Sequence, residues 1–348
     1  MGESAGGFSV FSNLASPTAA GLFQGAIAES GGYFHYQDYY NVGIDASVVP
    51  LATAESANTP WVPAGTTLAA NIGCDSITFA TLPEQSRCLR AKDAPTVLGS
   101  FPAFGLLFPI VDGAVLTQTP AAAFAAGSFN HVPVMAGTTH DESRLNILLE
   151  YDYGVGALQD VDYAAAVNAF IYPPNPALVD LLVNTEYPLT NYTNPVSPNQ
   201  SAPLALGALE TDVQFVCTTR NAEGLLAPQV PTYVYEFNDA TAPLWFTPPF
   251  FFPPISFPMG DAHFIDVQYL FLNQGLGLGG DEQTLSNTMI GYWTQFAKTG
   301  DPNSTGAPVW PQYSVGGSLE SLIAPTPTTE TDASFDADHK CSSFWNTF

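Results

Sequence analysis

A chain of 348 residues with 46% hydrophobic and only 11% charged side chains can bury a large core beneath a lightly charged surface. Seven Lys and Arg stand against 32 Asp and Glu, a formal charge of −25, which excludes the basic footprint of a nucleic-acid binder and argues against docking on anionic lipid. The acidity reads first as solubility, or as adaptation to salt or acid, because surface fields are screened within about 8 Å at physiological ionic strength.

The chain opens on Gly2-Glu3-Ser4-Ala5-Gly6, which fits G-x-S-x-G, the nucleophile elbow. The glycines permit a sharp strand-to-helix turn, and the free N–H groups of the next helix, that of Ala5 among them, then face the centre where negative charge develops. Phe8, Val10, Phe11 and Leu14 recur at helical spacing until Ser16-Pro17 ends the run. Beyond Ser30 the chain turns aromatic and irregular (Tyr33, Phe34, Tyr36, Tyr39, Tyr40), a short strand leading into a long surface insertion through residue 65. Residues 66–98 read as mostly helical. Val132 to Gly137 is a short apolar run suited to a buried parallel strand. Thr138 to Ser143 follows where α/β sheets carry their catalytic groups, and Asp141 is placed to cap a helix starting near Arg144.

Residues 145–210 read as helices and loops with proline-rich breaks at 173–177 and 195–203. Asp212 then begins a helix with Val213, Val216 and Leu225 on its apolar face, and Pro231 to Phe237 alternates as a strand does. Pro243 to Met259 is too apolar for water and too proline-rich for a helix or central strand. It is expected to pack on the core, to be disordered, or to wall an apolar pocket. A long helix ends at Gly300, with Pro302 behind it.

Four cysteines permit three pairings, and none stand as C-x-x-C or cluster with the five histidines, which argues against zinc. Paired, they place the protein outside the reducing cytosol. Asn191-Tyr192-Thr193, Asn199-Gln200-Ser201 and Asn303-Ser304-Thr305 are glycosylation sequons, consistent with secretion. No apolar run is long enough to cross a bilayer.

Residues 2–31, with the elbow, the helix, Ser16-Pro17, Gly21-Leu22-Phe23, Ala26-Ile27 and Ser30-Gly31, closely resemble the type-B carboxylesterase/lipase family, which also holds the cholinesterases. The resemblance implies an α/β-hydrolase fold, a mostly parallel sheet flanked by helices, over residues 1–348 as one C-terminal part of the family domain. It implies a serine hydrolase of carboxylic esters with Ser4 as nucleophile, Ala5 N–H as oxyanion donor and no cofactor or metal. The second acidic residue of Asp141-Glu142 takes the place of the triad acid, and Gly260-Asp261-Ala262-His263-Phe264-Ile265-Asp266 resembles the segment bearing the general base, His263. The order Ser4, Glu142, His263 is that of α/β-hydrolases. His35, His131, His140 and His339 are expected to be structural. The likeness further implies bridges Cys74–Cys88 and Cys217–Cys341, a P-x-x-D-G hairpin at Pro109 to Gly113 and a W-P-x-Y strand at Trp310 to Tyr313.

In that family the elbow lies well inside the chain, after several strands and an H-G-G-type oxyanion loop, whereas here only Met1 precedes Gly2. The expectation is a truncated or mis-started product with an unpaired sheet edge, its signal peptide missing, and activity impaired. The partner would be a small-molecule ester; the oligomeric state is left open. Two alternatives remain, a non-catalytic adhesion or interaction protein on the same fold and an inactive fragment.

Overall fold

The computed structural model describes residues 1–31, 49–50, 65–75, 77–100, 110–111, 113–171, 175–244, 253–271 and 277–347. The aromatic stretch Tyr33 to Tyr40, Asp112 of the hairpin motif, His35 and residues 245–252 of the proline-rich loop lie outside these.

Strands β1 (Gly2–Glu3), β2 (Ala26–Glu29), β5 (Val134–Thr139), β6 (Thr232–Phe237), β7 (Ser318–Leu322) and β8 (Thr328–Thr331) form one sheet in the order β1-β2-β5-β6-β7-β8, and β3 (Val49–Pro50) with β4 (Ile110–Val111) forms a separate parallel pair. All neighbours in the larger sheet are parallel except β7 and β8. Every residue of β2, β5 and β6 is buried, as central parallel strands covered on both faces require. The two-residue period divides their side chains between two layers. Val134 and Ala136 pack with Phe8, Phe11 and Leu14 of helix α1 (Ala5–Ala15) and with Phe124, Ala222 and Leu226. Met135 faces the other way, joining Ile27, Tyr235, Met289, Tyr292, Trp293 and Trp310. The fold is thus an α/β-hydrolase type, a mostly parallel sheet between helical layers.

Both expected bridges are present, Cys74–Cys88 and Cys217–Cys341. The long helix Gly280–Thr299 ends at Gly300 in the left-handed region, as expected. Two expectations are corrected. The helix read from Asp212 starts ten residues earlier and runs from Ala202 through a wide turn at Asp212–Val216 to Leu226. Pro203 does not break it, because a proline in the first turn loses no helical hydrogen bond. Trp310 to Tyr313 is not a strand: Trp310 Nε1 donates to Val234 O at 3.1 Å and Tyr313 N to Thr232 O at 2.8 Å, which fastens an irregular segment along β6.

Candidate active site

Ser4 sits between β1 and α1 with φ 57° and ψ −121°, a backbone state costly for any residue with a Cβ and one that persists only where its surroundings enforce it. Three features enforce it here. Ser4 N donates to Glu29 O at 2.9 Å, tying the turn to β2. A Cβ on Gly2 would collide with the Gly6 backbone, and one on Gly7 with Glu29 O, so only glycine lets strand, turn and helix approach this closely. The first N–H groups of α1 then have no intrahelical acceptor, and Ala5 stands exposed at that end.

The triad-acid candidate lies on the turn after β5. Glu142 is fully buried, its Oε1 accepting from Thr139 N at 2.8 Å and its Oε2 facing His263 Nδ1 in a short hydrogen bond. The main chains also meet, His263 N donating to Glu142 O at 3.1 Å. Phe264 follows with φ 75°, so strained backbone flanks the imidazole as it does the serine. Phe215, from the wide turn at Asp212–Val216, packs on the imidazole with ring centroids 4.9 Å apart.

Residues far apart in the chain thus converge, though not with equal closeness. Glu142 and His263 are bonded. The other nitrogen, Nε2, faces Glu3 Oε1 at 3.2 Å, an ion-pair approach without the alignment of a hydrogen bond. Among the described residues, Ser4 Oγ makes no hydrogen bond; its chain neighbour Glu3 holds the position opposite Nε2.

The electrostatics are those of a buried acidic site. Burial pushes Glu3 up to about 7, and Asp266 and Glu142 add to the shift while His263 opposes it. Glu29 rises to about 8 and Asp266 to about 6, again mainly by burial. Burial favours the neutral form of His263, but Glu142, Glu3 and Asp266 together outweigh it and raise the imidazole above its ordinary value.

The capping role expected of Asp141 is not found. Its Oδ1 instead pairs with Arg144 Nη2 at 2.9 Å and lies 3.2 Å from His140 Nδ1, and its Oδ2 accepts from Asp261 N at 3.2 Å. The side chain therefore clasps the Glu142 turn to the His263 segment. Glu3, Asp266 and Phe215 were given no role by the sequence. Glu3 and Asp266 carried a signal, being acidic positions inside the two motifs; Phe215 carried none.

A model described as "Carboxylesterase family" matches residues 1–342. The chain belongs to the carboxylesterase family. The chain is 27% identical over 318 residues to an acylcarnitine hydrolase of Mus musculus, the match covering 89% of the chain and 51% of the relative. It is 30% identical over 326 residues to an acylcarnitine hydrolase of Rattus norvegicus, with coverage of 89% and 51%. It is 27% identical over 317 residues to a cocaine esterase of Homo sapiens, covering 90% and 51%. The chain spans about half the length of these curated relatives.

Proposed function

We propose that this carboxylesterase chain hydrolyses carboxylic esters through an acyl-enzyme on Ser4. The observation carrying the reading is the buried Glu142–His263 pair, whose free ring nitrogen faces Glu3, the residue next to a serine held in a left-handed elbow. A carboxylate on Nδ1 fixes the tautomer that leaves Nε2 free to act as base, and it stabilises the imidazolium that forms. His263 takes the Ser4 proton as Oγ attacks the ester carbonyl, then returns it to the leaving alcohol; water repeats the cycle to release the acid. The Ala5 N–H at the start of α1 supplies one oxyanion donor, aided by the positive end of the helix.

The resting contact between Nε2 and Glu3 fits this scheme, since hydrogen bonds to the nucleophile often tighten only when substrate is bound. With a pKa near 7, Glu3 readily takes a proton, and protonation would release Nε2 towards the neighbouring serine. The partner is a small-molecule ester, and no helix among the described residues is long and apolar enough to cross a membrane. We read residues 1–348 as one unit of the family domain. The two bridges support an oxidising compartment, secreted or lumenal, as its location.

The experiment is hydrolysis of a p-nitrophenyl ester by the purified chain, with rapid quench and intact mass. An acyl adduct on the wild type, absent from Ser4→Ala and strongly slowed in His263→Ala, is the expected result. Turnover that survives Ser4→Ala would overturn the proposal, and a folded chain forming no adduct would favour the non-catalytic readings.

A further inference from the structure

A second group of ionisable side chains lies beside the turn that carries Glu142, and nothing in the ester chemistry uses it. His339 ends helix Asp332–His339 and is buried. Its Nδ1 lies 2.6 Å from Asp212 Oδ1 and its Nε2 lies 2.6 Å from Glu236 Oε1. The donors around them fix what each carboxylate's other oxygen does. The Trp345 indole can only donate, and it donates to Tyr187 Oη at 2.6 Å. The Tyr187 proton therefore goes to Asp212 Oδ2, also at 2.6 Å, which leaves Oδ1 to face the imidazole. Glu236 likewise accepts from Asn238 Nδ2, at 3.3 Å. Each carboxylate already accepts on its other oxygen, and the imidazole can serve both as acceptors only when both ring nitrogens carry hydrogen.

We propose that His339 is held as a permanent imidazolium and that this buried charge is a positioning element for the Glu142–His263 pair. His339, His140 and Arg144 offer three positive charges to Asp212, Glu236 and Asp141. Asp261, which burial pushes up to about 8, keeps its proton. Asp239 stands nearby, accepting from Tyr269 Oη at 2.7 Å. Glu330 faces Glu236 and His339, with Asp338 beside it, and Lys340 faces Asp212. The same surroundings hold His140, half-buried with its ring edge-on to His339 at 5.1 Å, up to about 9 although desolvation opposes the charge.

The route to the active site is short. Glu236 lies opposite Thr138 in the β5–β6 register, and His140 N donates to Phe237 O on the next rung at 3.0 Å. His140 then contacts Asp141, which exchanges two hydrogen bonds with Asp261, two residues before His263. Without the imidazolium, Asp212 and Glu236 would be left without the cation between them. One would have to protonate or move, and movement of Glu236 is passed along the ladder to the Glu142 turn.

His140, Glu236 and His339 also lie close enough together to suggest a cation site. A metal would need the lone pair of His339 Nε2, where the hydrogen-bond pattern puts a proton, so the metal reading is the competing outcome. The positioning half of the proposal rests on the roles given to Glu142 and His263; the protonation half does not.

The test uses the full chain with 15N-labelled histidine and long-range nitrogen–proton correlation spectra from pH 5 to 9. His339 is expected to show two protonated nitrogens throughout, unchanged by equimolar zinc. In folded His339→Gln, the low-field Nδ1 proton of His263 should shift or vanish, and active-serine labelling should slow about tenfold. If that variant does not fold, Glu236→Gln should bring the His339 titration down into the measurable range. A neutral His339, zinc displacing its protons, or an unchanged His263 signal in folded His339→Gln would each overturn the proposal. A wild type that never labels but keeps the imidazolium would count against the esterase reading alone.

Discussion

Replacing Glu3 by Gln should lower the pKa of His263 and extend serine reactivity to lower pH. In an effective dielectric of about 20, a unit charge 3.2 Å from another contributes at most about 5 kcal/mol. The real effect is smaller for two reasons. Glu3 is fully charged only above its own value of about 7, and Glu142 and Asp266 remain beside the ring after the change. A fall of about one pK unit, 1.4 kcal/mol, is a conservative expectation. The sign follows from the mechanism. The base must be neutral, so a negative neighbour that favours the imidazolium suppresses activity on the acid side, and removing it moves the acid limb downward. The assay is an NMR titration of the His263 ring in both proteins, with the pH dependence of active-serine labelling alongside. The wild type should titrate in two coupled steps that belong to the Glu3–His263 pair, and Glu3→Gln in one. A His263 titration that stays in place or moves upward would refute the electrostatic account of the site.

Burial of Glu29, Glu210 and Glu320 pushes each up to about 8 from an ordinary value of 4.5. Groups raised in the folded state give stability that is complete below their unfolded pKa and is lost as pH climbs to the folded one, so Tm should fall between pH 5 and pH 8. A Tm that rises over that window contradicts the assignment. The Cys217–Cys341 bridge spans 124 residues of sequence and Cys74–Cys88 only 14, which the chain-entropy model converts to about 5 and 3 kcal/mol. Denaturant unfolding of the paired Cys→Ser variants should show the larger loss for the longer loop; the reverse order would count against it. Asn191 and Asn199 are exposed, whereas Asn303 Nδ2 spends its hydrogens on Asp301 Oδ1 at 2.8 Å and Trp310 O at 3.0 Å. Passed through a eukaryotic secretory pathway, the folded protein should carry glycans at Asn191 and Asn199 and none at Asn303, read by peptide mass mapping; a glycan at Asn303 in folded material would contradict this.

What could be read before any coordinates were local features with a backbone cause. The elbow is visible because only glycine fits at Gly2 and Gly7, and β5 because a strand covered on both faces must be apolar throughout. The helix stop at Gly300 is legible for the same kind of reason. Where a position depends on what lies across space, the pattern misled or was silent. Pro203 reads as a breaker but occupies the first turn of a helix, where it does no harm. Asp141 has the composition of a cap, yet its carboxylate is claimed by Arg144, His140 and the Asp261 amide. The placing of Glu3 opposite His263, 260 residues along the chain, follows from the order of strands in the sheet and leaves no local mark. His339 was expected to be structural, and nothing near it in sequence announces Asp212 or Glu236 as its partners.

On the proposed mechanism, Ser4 is an activated nucleophile. Incubation with a fluorophosphonate, followed by tryptic mapping, tests it most directly. One adduct, on Ser4, is expected, forming more slowly as pH falls through the His263 titration and abolished by heat unfolding beforehand. A natively folded chain that resists the reagent, or an adduct on any other serine, would contradict it.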